Sequence, residues 1–149
     1  MNNNQRGRVI AVNISEKKGV IKIPVQVGHF KSNHGLEGDA HAGEWHRQVS
    51  LLAQESIDKM TQMGVLDLSS GKFAENITTE GLILHELPVG TRLKIGETLH
   101  EVTQIGKECH HGCAIKVQVG NCIMPKEGIF TKVLEGGDIH EGDEIVVLA

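Results

Sequence analysis

The clearest structural signal in the chain is the stretch from Pro88 to Gln104, which reads PVGTRLKIGETLHEVTQ. Apolar and polar residues alternate on both sides of Gly96, as expected for two half-buried antiparallel strands that are joined by a tight turn. This stretch therefore predicts a β-hairpin centred on Gly96.

Other short segments have the same character. β-Branched or alternating apolar residues predict further strands at 8–14, 20–25, 48–52, 73–79, 128–134 and 143–148, with a glycine turn at 136–138. Pro24 indicates an edge position or a strand end. Apolar residues at spacings of three and four predict a helix from Ala53 to Met63 that Gly64 terminates. Many short strands between glycine turns predict a mainly β fold, an antiparallel sheet closed into a barrel with one or a few helices.

The composition excludes several classes of protein. A length of 149 residues, with 39% hydrophobic and 23% charged residues, is typical of one globular domain, which we place at 1–149. A net charge of −4 and 3% aromatic residues provide neither the basic surface nor the stacking platforms that nucleic-acid binding requires. Because there is no long apolar run and no secretion signal in the first residues, we expect a cytoplasmic protein that binds no membrane. Three cysteines, an odd number, are then expected to be reduced thiols.

The densest reactive cluster is Cys109-His110-His111-Gly112-Cys113, with Cys122 further on. A structural zinc site needs four ligands, and the second ligand pair is missing here. Lys107 and His110 are positive groups that favour the thiolate form of Cys109, and thiolate is a preferred ligand of soft metal centres. We therefore select Cys109 as the candidate functional thiol and metal ligand, with Cys113 and Cys122 as alternatives.

A second cluster lies in the stretch 28–43, which has no sustained period and is predicted to be a loop. Gly38 and its neighbours allow backbone N–H groups to approach an anion, and Arg47 offers a planar fork for phosphate or carboxylate. The alternative is a glycine-rich turn in which Asp39 caps backbone amides and Arg47 pairs with a surface acid.

A third cluster is the stretch 73–77, FAENI, in which Asn76 offers a donor and an acceptor to a heterocyclic ring edge. Asparagine is equally common in turns and bulges. The sequence contains no P-loop, no dinucleotide-binding fingerprint in the right context and no serine triad, which disfavours ordinary hydrolases and nucleotide-binding folds.

Taken in order, these motifs resemble the pattern of MOSC domains, named for the C-terminal domain of molybdenum cofactor sulfurase. The matching stretches are 35–43, 47–51, 73–77, 93–96 and 102–104 leading to Cys109. The resemblance runs from about Val9 to Val147. It implies a closed barrel similar to that of pyruvate kinase and binding of the molybdenum cofactor, a pterin that carries a dithiolene and a phosphate.

The resemblance also implies roles for individual residues. The family cysteine, which ligates molybdenum or carries sulfur, corresponds to Cys109, which is thus also the candidate catalytic residue. Five further candidates are expected to bind the cofactor: Arg47, Lys107, Asn76, Gly38 and His41. Of these, Arg47 and Lys107 are expected near the pterin phosphate. We further expect Arg47 to share a pocket with Cys109, and Asp39 to hold the 28–43 loop in shape.

Two functions are compatible with these residues. One is a molybdenum cofactor (Mo-molybdopterin) or sulfur carrier that works with proteins of cofactor biosynthesis or with molybdoenzymes. The other is a reductase of N-hydroxylated compounds that needs a separate redox donor, since the chain has no iron–sulfur or flavin motif. Pyridoxal phosphate is not expected on this chain alone, and an adaptor barrel without a cofactor is the third possibility.

Overall fold

The structure, a computed structural model, describes residues 5–18, 20–64, 68–106 and 124–148. The strands of this part of the chain are β1 (Arg6–Ile14), β2 (Ile23–Val25), β3 (Val27–Lys31), β4 (Gly35–Leu36), β5 (Val49–Ala53), β6 (Ile77–Glu80), β7 (Arg92–Ile95), β8 (Thr98–Ile105), β9 (Ile129–Glu135), β10 (Gly137–His140) and β11 (Glu144–Leu148). The helices are α1 (Gln54–Gln62), α2 (Met124–Glu127) and a 3-10 turn at Leu84–Glu86.

Seven of these strands close into a barrel in the order β11-β7-β8-β9-β5-β6-β1, and β1 pairs back with β11. The predicted closed, mainly β fold is confirmed. One pair departs from the antiparallel arrangement, because β5 and β6 are parallel. A parallel pair needs a crossover connection, and here α1 lies within that connection.

The two locally encoded elements form as predicted. Strands β7 and β8 make the hairpin around Gly96, with Ile95 opposite Thr98. Helix α1 begins after Ala53 and ends at Gln62, and it turns its buried face, Ile57 and Met60, toward the barrel wall. The second predicted strand is shorter than expected, since only Ile23–Val25 pairs with β1, at the outer edge of the sheet.

Two sequence predictions are wrong. The stretch 28–43 is not all loop, because Val27–Lys31 and Gly35–Leu36 form a small sheet with Gly137–His140, which was predicted to be in part a turn. The alternation in β3 is hidden because Gly28 occupies an inward position, where a Cβ atom would lie 2.7 Å from Val12. The partner strand β10 is far away in sequence, so its pairing leaves no local pattern.

The core consists of two clusters separated by the barrel wall. The larger cluster fills the barrel and takes in Phe30, Leu36 and Ile139 from the small sheet. The smaller cluster packs outside the wall, where α1 and Phe73 cover Leu52 and Phe130. Alternate residues of β5 and β9 thus face two apolar layers, which explains why all five residues of β5 are buried.

Candidate functional site

The loop after β4 is built around a buried ion pair. Lys22 Nζ lies 2.8 Å from Asp39 Oδ1, and both side chains are 0% exposed. Asp39 also accepts hydrogen bonds from the backbone N–H groups of Ser15 and His41, each at 3.0 Å. Burial alone would raise the pKa of the Asp39 carboxyl, but the interactions with His41 and Lys22 outweigh it and hold the pKa well below its usual range. Asp39 thus accepts backbone N–H groups as expected, and its effect on the shape of the loop stays a prediction.

His41 is the accessible member of this cluster. Its Nδ1 lies 3.2 Å from Lys22 Nζ, and its side chain is 19% exposed. Its backbone carbonyl accepts a hydrogen bond from Trp45 Nε1 at 2.7 Å. Lys18 lies over the Trp45 ring at 5.0 Å and places a cationic group beside this residue.

Gly38 lies in the same loop, three residues before His41. Its φ of +87° lies in the left-handed region that favours glycine. It lines a groove of about 620 Å³ whose walls come from the segment between Ile14 and Ile23. A volume of this order is within the range of small-molecule sites, roughly 300–1,000 Å³.

Arg47 is held in place by neutral groups. Its Nε donates to Gln104 Oε1 at 3.1 Å, and its guanidinium carbon lies 5.2 Å from the centre of the Phe130 ring. His46 Nε2 contacts the same oxygen at 2.9 Å, and Thr103 donates its hydroxyl to the His46 carbonyl. No acidic residue in the described part of the chain pairs with Arg47, which was the alternative interpretation. The two terminal nitrogens of Arg47 have no hydrogen-bond partner among the described residues. Among the described residues the guanidinium is therefore a donor with a fixed plane and no acidic partner.

Asn76 has a different role from the one expected. Its side chain is buried, with Oδ1 accepting from the Ser50 backbone at 3.0 Å and Nδ2 donating to the Asn13 carbonyl at 3.2 Å. These bonds tie β5 to β1 at the start of β6. The amide groups are thereby committed to the fold, so we remove Asn76 from the set of cofactor contacts.

The neighbouring Glu75 organises the turn before β6. Its carboxylate accepts hydrogen bonds from the backbone of Gly71 at 3.0 Å and from the Thr78 hydroxyl at 2.6 Å. Burial raises the pKa of this carboxyl. The Gly71 carbonyl in turn accepts a hydrogen bond from the Lys22 backbone at 2.9 Å. The FAENI stretch thus supports the segment that carries Lys22, rather than facing a ligand itself.

The candidates Lys107 and Cys109, and the alternatives Cys113 and Cys122, lie outside the described residues. The described part of the chain nearest to Cys109 in sequence is the end of β8. Gln104, which accepts the hydrogen bond from Arg47, lies there, five positions before Cys109. Within the described ranges no group of three or more histidine, cysteine or acidic side chains has the spacing of a metal site. No helix in those ranges is both long enough and apolar enough to cross a membrane.

Sequence reasoning missed Lys22 and Gln104. Lys22 alternates with Ile21 and Ile23, which is the pattern of a lysine on the solvent face of a strand, and nothing local reveals its buried carboxylate partner. The sequence pattern predicts Gln104 only as the end of a strand. Its hydrogen bonds to His46 and Arg47 depend on strand pairing that brings β5 and β8 together through β9.

The architecture defines a class: a seven-stranded closed barrel with a charged loop at the entry to β5. Within this class the chain belongs to the MOSC domain family, whose sequence model matches residues 38–146. MOSC domains are a molybdenum cofactor-binding family. The predicted family membership is confirmed.

Several solved structures have the same fold. The YuaD protein of Bacillus subtilis superposes with a TM-score of 0.78 at 19% identity, over 99% of this chain and 98% of that one. YiiM of Geobacillus stearothermophilus superposes with a TM-score of 0.76 at 21% identity, over 96% of this chain and 75% of the YiiM chain. YiiM of Escherichia coli superposes with a TM-score of 0.69 at 19% identity, over 95% of this chain and 70% of the YiiM chain. At these identities the likeness concerns the fold. No curated protein matches the sequence.

Proposed function

We propose that this domain binds the molybdenum cofactor beside Arg47 and His41 and carries the cofactor, or sulfur for it, in molybdenum cofactor biosynthesis or sulfuration. Family membership supports the choice of cofactor. The single observation that carries the site is Arg47, whose guanidinium is fixed by Gln104 and Phe130 while its terminal nitrogens lack partners among the described residues.

The donor set fits the phosphate of the cofactor. A guanidinium presents two parallel N–H groups that match two phosphate oxygens, and this geometry needs a fixed plane. Nε, which binds Gln104, leaves the terminal fork for the ligand. In this proposal Lys107 adds a second positive charge near the phosphate.

His41 and Gly38 serve the remainder of the cofactor in the proposal. His41 is a partly exposed member of a rigid cluster and supplies a ring nitrogen. Gly38 borders the groove of about 620 Å³, which is large enough for a pterin ring system. When bound, the cofactor would supply a molybdenum centre with soft sulfur ligands, and Cys109 would be the thiolate that holds it.

Trp45 provides a direct binding assay, because the chain has one tryptophan and no tyrosine. Its fluorescence therefore reports on the loop that joins His41 to Arg47. We expect titration with the anaerobically isolated molybdenum cofactor to change this fluorescence with saturation at about one equivalent. Absence of any binding by the wild-type protein, measured also by equilibrium dialysis, would contradict the proposal.

The role of Arg47 is tested with a matched pair of variants. Arg47→Gln removes the fork, and we expect roughly tenfold to hundredfold weaker binding, since a charged hydrogen-bonded pair contributes about 1.5–3 kcal/mol. Arg6→Gln is the control, because Arg6 is an exposed arginine whose partner is Glu144 at 2.8 Å. Equal affinities of the two variants would remove Arg47 from the site.

The carrier and the reductase differ in turnover. The carrier binds the cofactor and passes it, or its sulfur, to a partner protein of the molybdenum pathway. The reductase consumes a hydroxylamino-purine when the cofactor-loaded protein receives electrons from an added donor. We expect binding without turnover, whereas steady turnover that depends on the loaded protein would replace the carrier with the reductase.

A further inference from the structure

Three described acceptors lie within hydrogen-bond distance of the buried ammonium of Lys22. They are Asp39 Oδ1 at 2.8 Å, Ser15 Oγ at 2.9 Å and His41 Nδ1 at 3.2 Å. An ammonium group has only hydrogens to offer and accepts nothing. The nitrogen of His41 that faces Lys22 must therefore be an acceptor, with no hydrogen of its own.

The competing partner of His41 is weaker. Asp39 Oδ2 lies 3.7 Å from Nδ1, beyond hydrogen-bond distance, and it already accepts the backbone N–H of His41 at 3.0 Å. A neutral imidazole carries its hydrogen on one of its two nitrogens. With Nδ1 accepting from Lys22, the hydrogen of His41 is on Nε2.

We propose that Lys22 is a positioning residue that fixes His41 in the Nε2–H tautomer and so makes this ring an N–H donor toward the bound cofactor. The use of the donor rests on the proposed function, whereas the tautomer is a property of the protein without ligand. Burial makes the arrangement rigid, because the side chains of Lys22 and Asp39 are 0% exposed, whereas that of His41 is 19% exposed. The Glu75 turn reinforces it through the Gly71 carbonyl, which accepts the Lys22 N–H.

The tautomer is read directly by long-range ¹H–¹⁵N correlation spectroscopy of the ¹⁵N-labelled protein at pH 8, where an ordinary histidine is neutral. The His41 signals are assigned by their loss in His41→Gln. We expect Nδ1 in the range of an unprotonated nitrogen and Nε2 in the range of a protonated one. The opposite pattern in the wild-type protein overturns the proposal, and this measurement requires no Lys22 variant to fold.

Variants identify the group that fixes the tautomer. Lys22→Arg keeps a donor and is expected to keep the wild-type pattern. Lys22→Met leaves Asp39 as the polar neighbour of Nδ1, and we expect Nδ1 to become protonated. Asp39→Asn keeps the ammonium, and we expect the wild-type pattern. A tautomer that follows Asp39 and not Lys22 refutes the assignment.

Cofactor binding then separates this inference from the proposed function. If Lys22 acts through His41, Lys22→Met weakens cofactor binding in the wild-type background, by several-fold, and has no further effect in the His41→Gln background. Additive effects of the two substitutions contradict positioning. If the wild-type protein binds no cofactor at all, the proposed function fails, whereas the tautomer of the free protein still decides whether Lys22 fixes His41.

Discussion

Protonation of His100 is expected to destabilise the barrel below neutral pH. His100 lies inside the barrel with its two ring nitrogens each 2.8 Å from a threonine hydroxyl, those of Thr98 and Thr131, and with Phe30 against its ring at 5.7 Å. Burial lowers the pKa of His100 from 6.5 to about 3. The ring is therefore neutral in the folded protein throughout the range in which it takes up a proton in the unfolded chain.

The direction and size of the effect follow from this difference. Between pH 6.5 and about 3 the unfolded chain binds the extra proton, so the free energy of unfolding falls as the pH is lowered. At pH 5 the ratio of protonated to neutral His100 in the unfolded chain is about 30 to 1. This ratio corresponds to a free energy of unfolding that is about 2 kcal/mol lower than at pH 7. For a domain of this size that loss lowers the melting temperature by about 4–8 °C.

The assay compares the wild-type protein with His100→Gln, which keeps polar atoms for the two threonines but does not titrate. Urea unfolding is followed by Trp45 fluorescence at pH 7, 6 and 5. Acidic residues such as Asp39 contribute equally to both proteins, so the difference between the two pH profiles isolates His100. We expect the wild-type protein to lose about 2 kcal/mol more than the variant between pH 7 and 5. Parallel profiles would refute the reasoning.

Two further predictions concern the cluster under the loop. Gly71→Ala would place a Cβ atom 2.1 Å from the Lys22 carbonyl oxygen. We expect it to destabilise the protein by clearly more than the control Gly90→Ala, which costs about 1–2 kcal/mol because Gly90 has a similar positive φ but open space around it. Equal losses of unfolding free energy in urea would show that the contact is unimportant. Asp39→Asn leaves the Lys22 ammonium buried without its carboxylate, and we expect a loss of about 3 kcal/mol with only a modest loss of cofactor affinity. An unchanged melting curve beside abolished binding would mean that Asp39 contacts the ligand.

The sequence predicts those parts of the fold that have a local pattern. The hairpin around Gly96 and helix α1 were found because alternation and a three-to-four spacing are visible within a dozen residues. Strands β3 and β10 were missed, since glycine occupies inward positions and each strand depends on a partner about a hundred residues away. The parallel pairing of β5 and β6 likewise has no local signature.

The sequence indicates which residues belong to the candidate site better than it indicates what each of them does. Arg47 and Asp39 were recognised because a guanidinium and a carboxylate in a glycine-rich stretch have few alternatives. Asn76 was assigned to a ligand because an amide pairs equally well with a heterocycle or with backbone, and only the structure shows the backbone bonds. Lys22 was overlooked because its partner Asp39 lies 17 positions away.

The most direct test of the central claim is X-ray absorption at the molybdenum edge of the cofactor-loaded protein, which counts the sulfur atoms bound to the metal. Cys109→Ser removes one soft ligand at a stability cost of about 1 kcal/mol, so the fold is expected to remain intact. We predict that the wild-type protein and the Cys113→Ser and Cys122→Ser variants share one sulfur ligand that Cys109→Ser lacks. An identical sulfur count in Cys109→Ser and wild type would contradict the assignment of Cys109 as the molybdenum ligand.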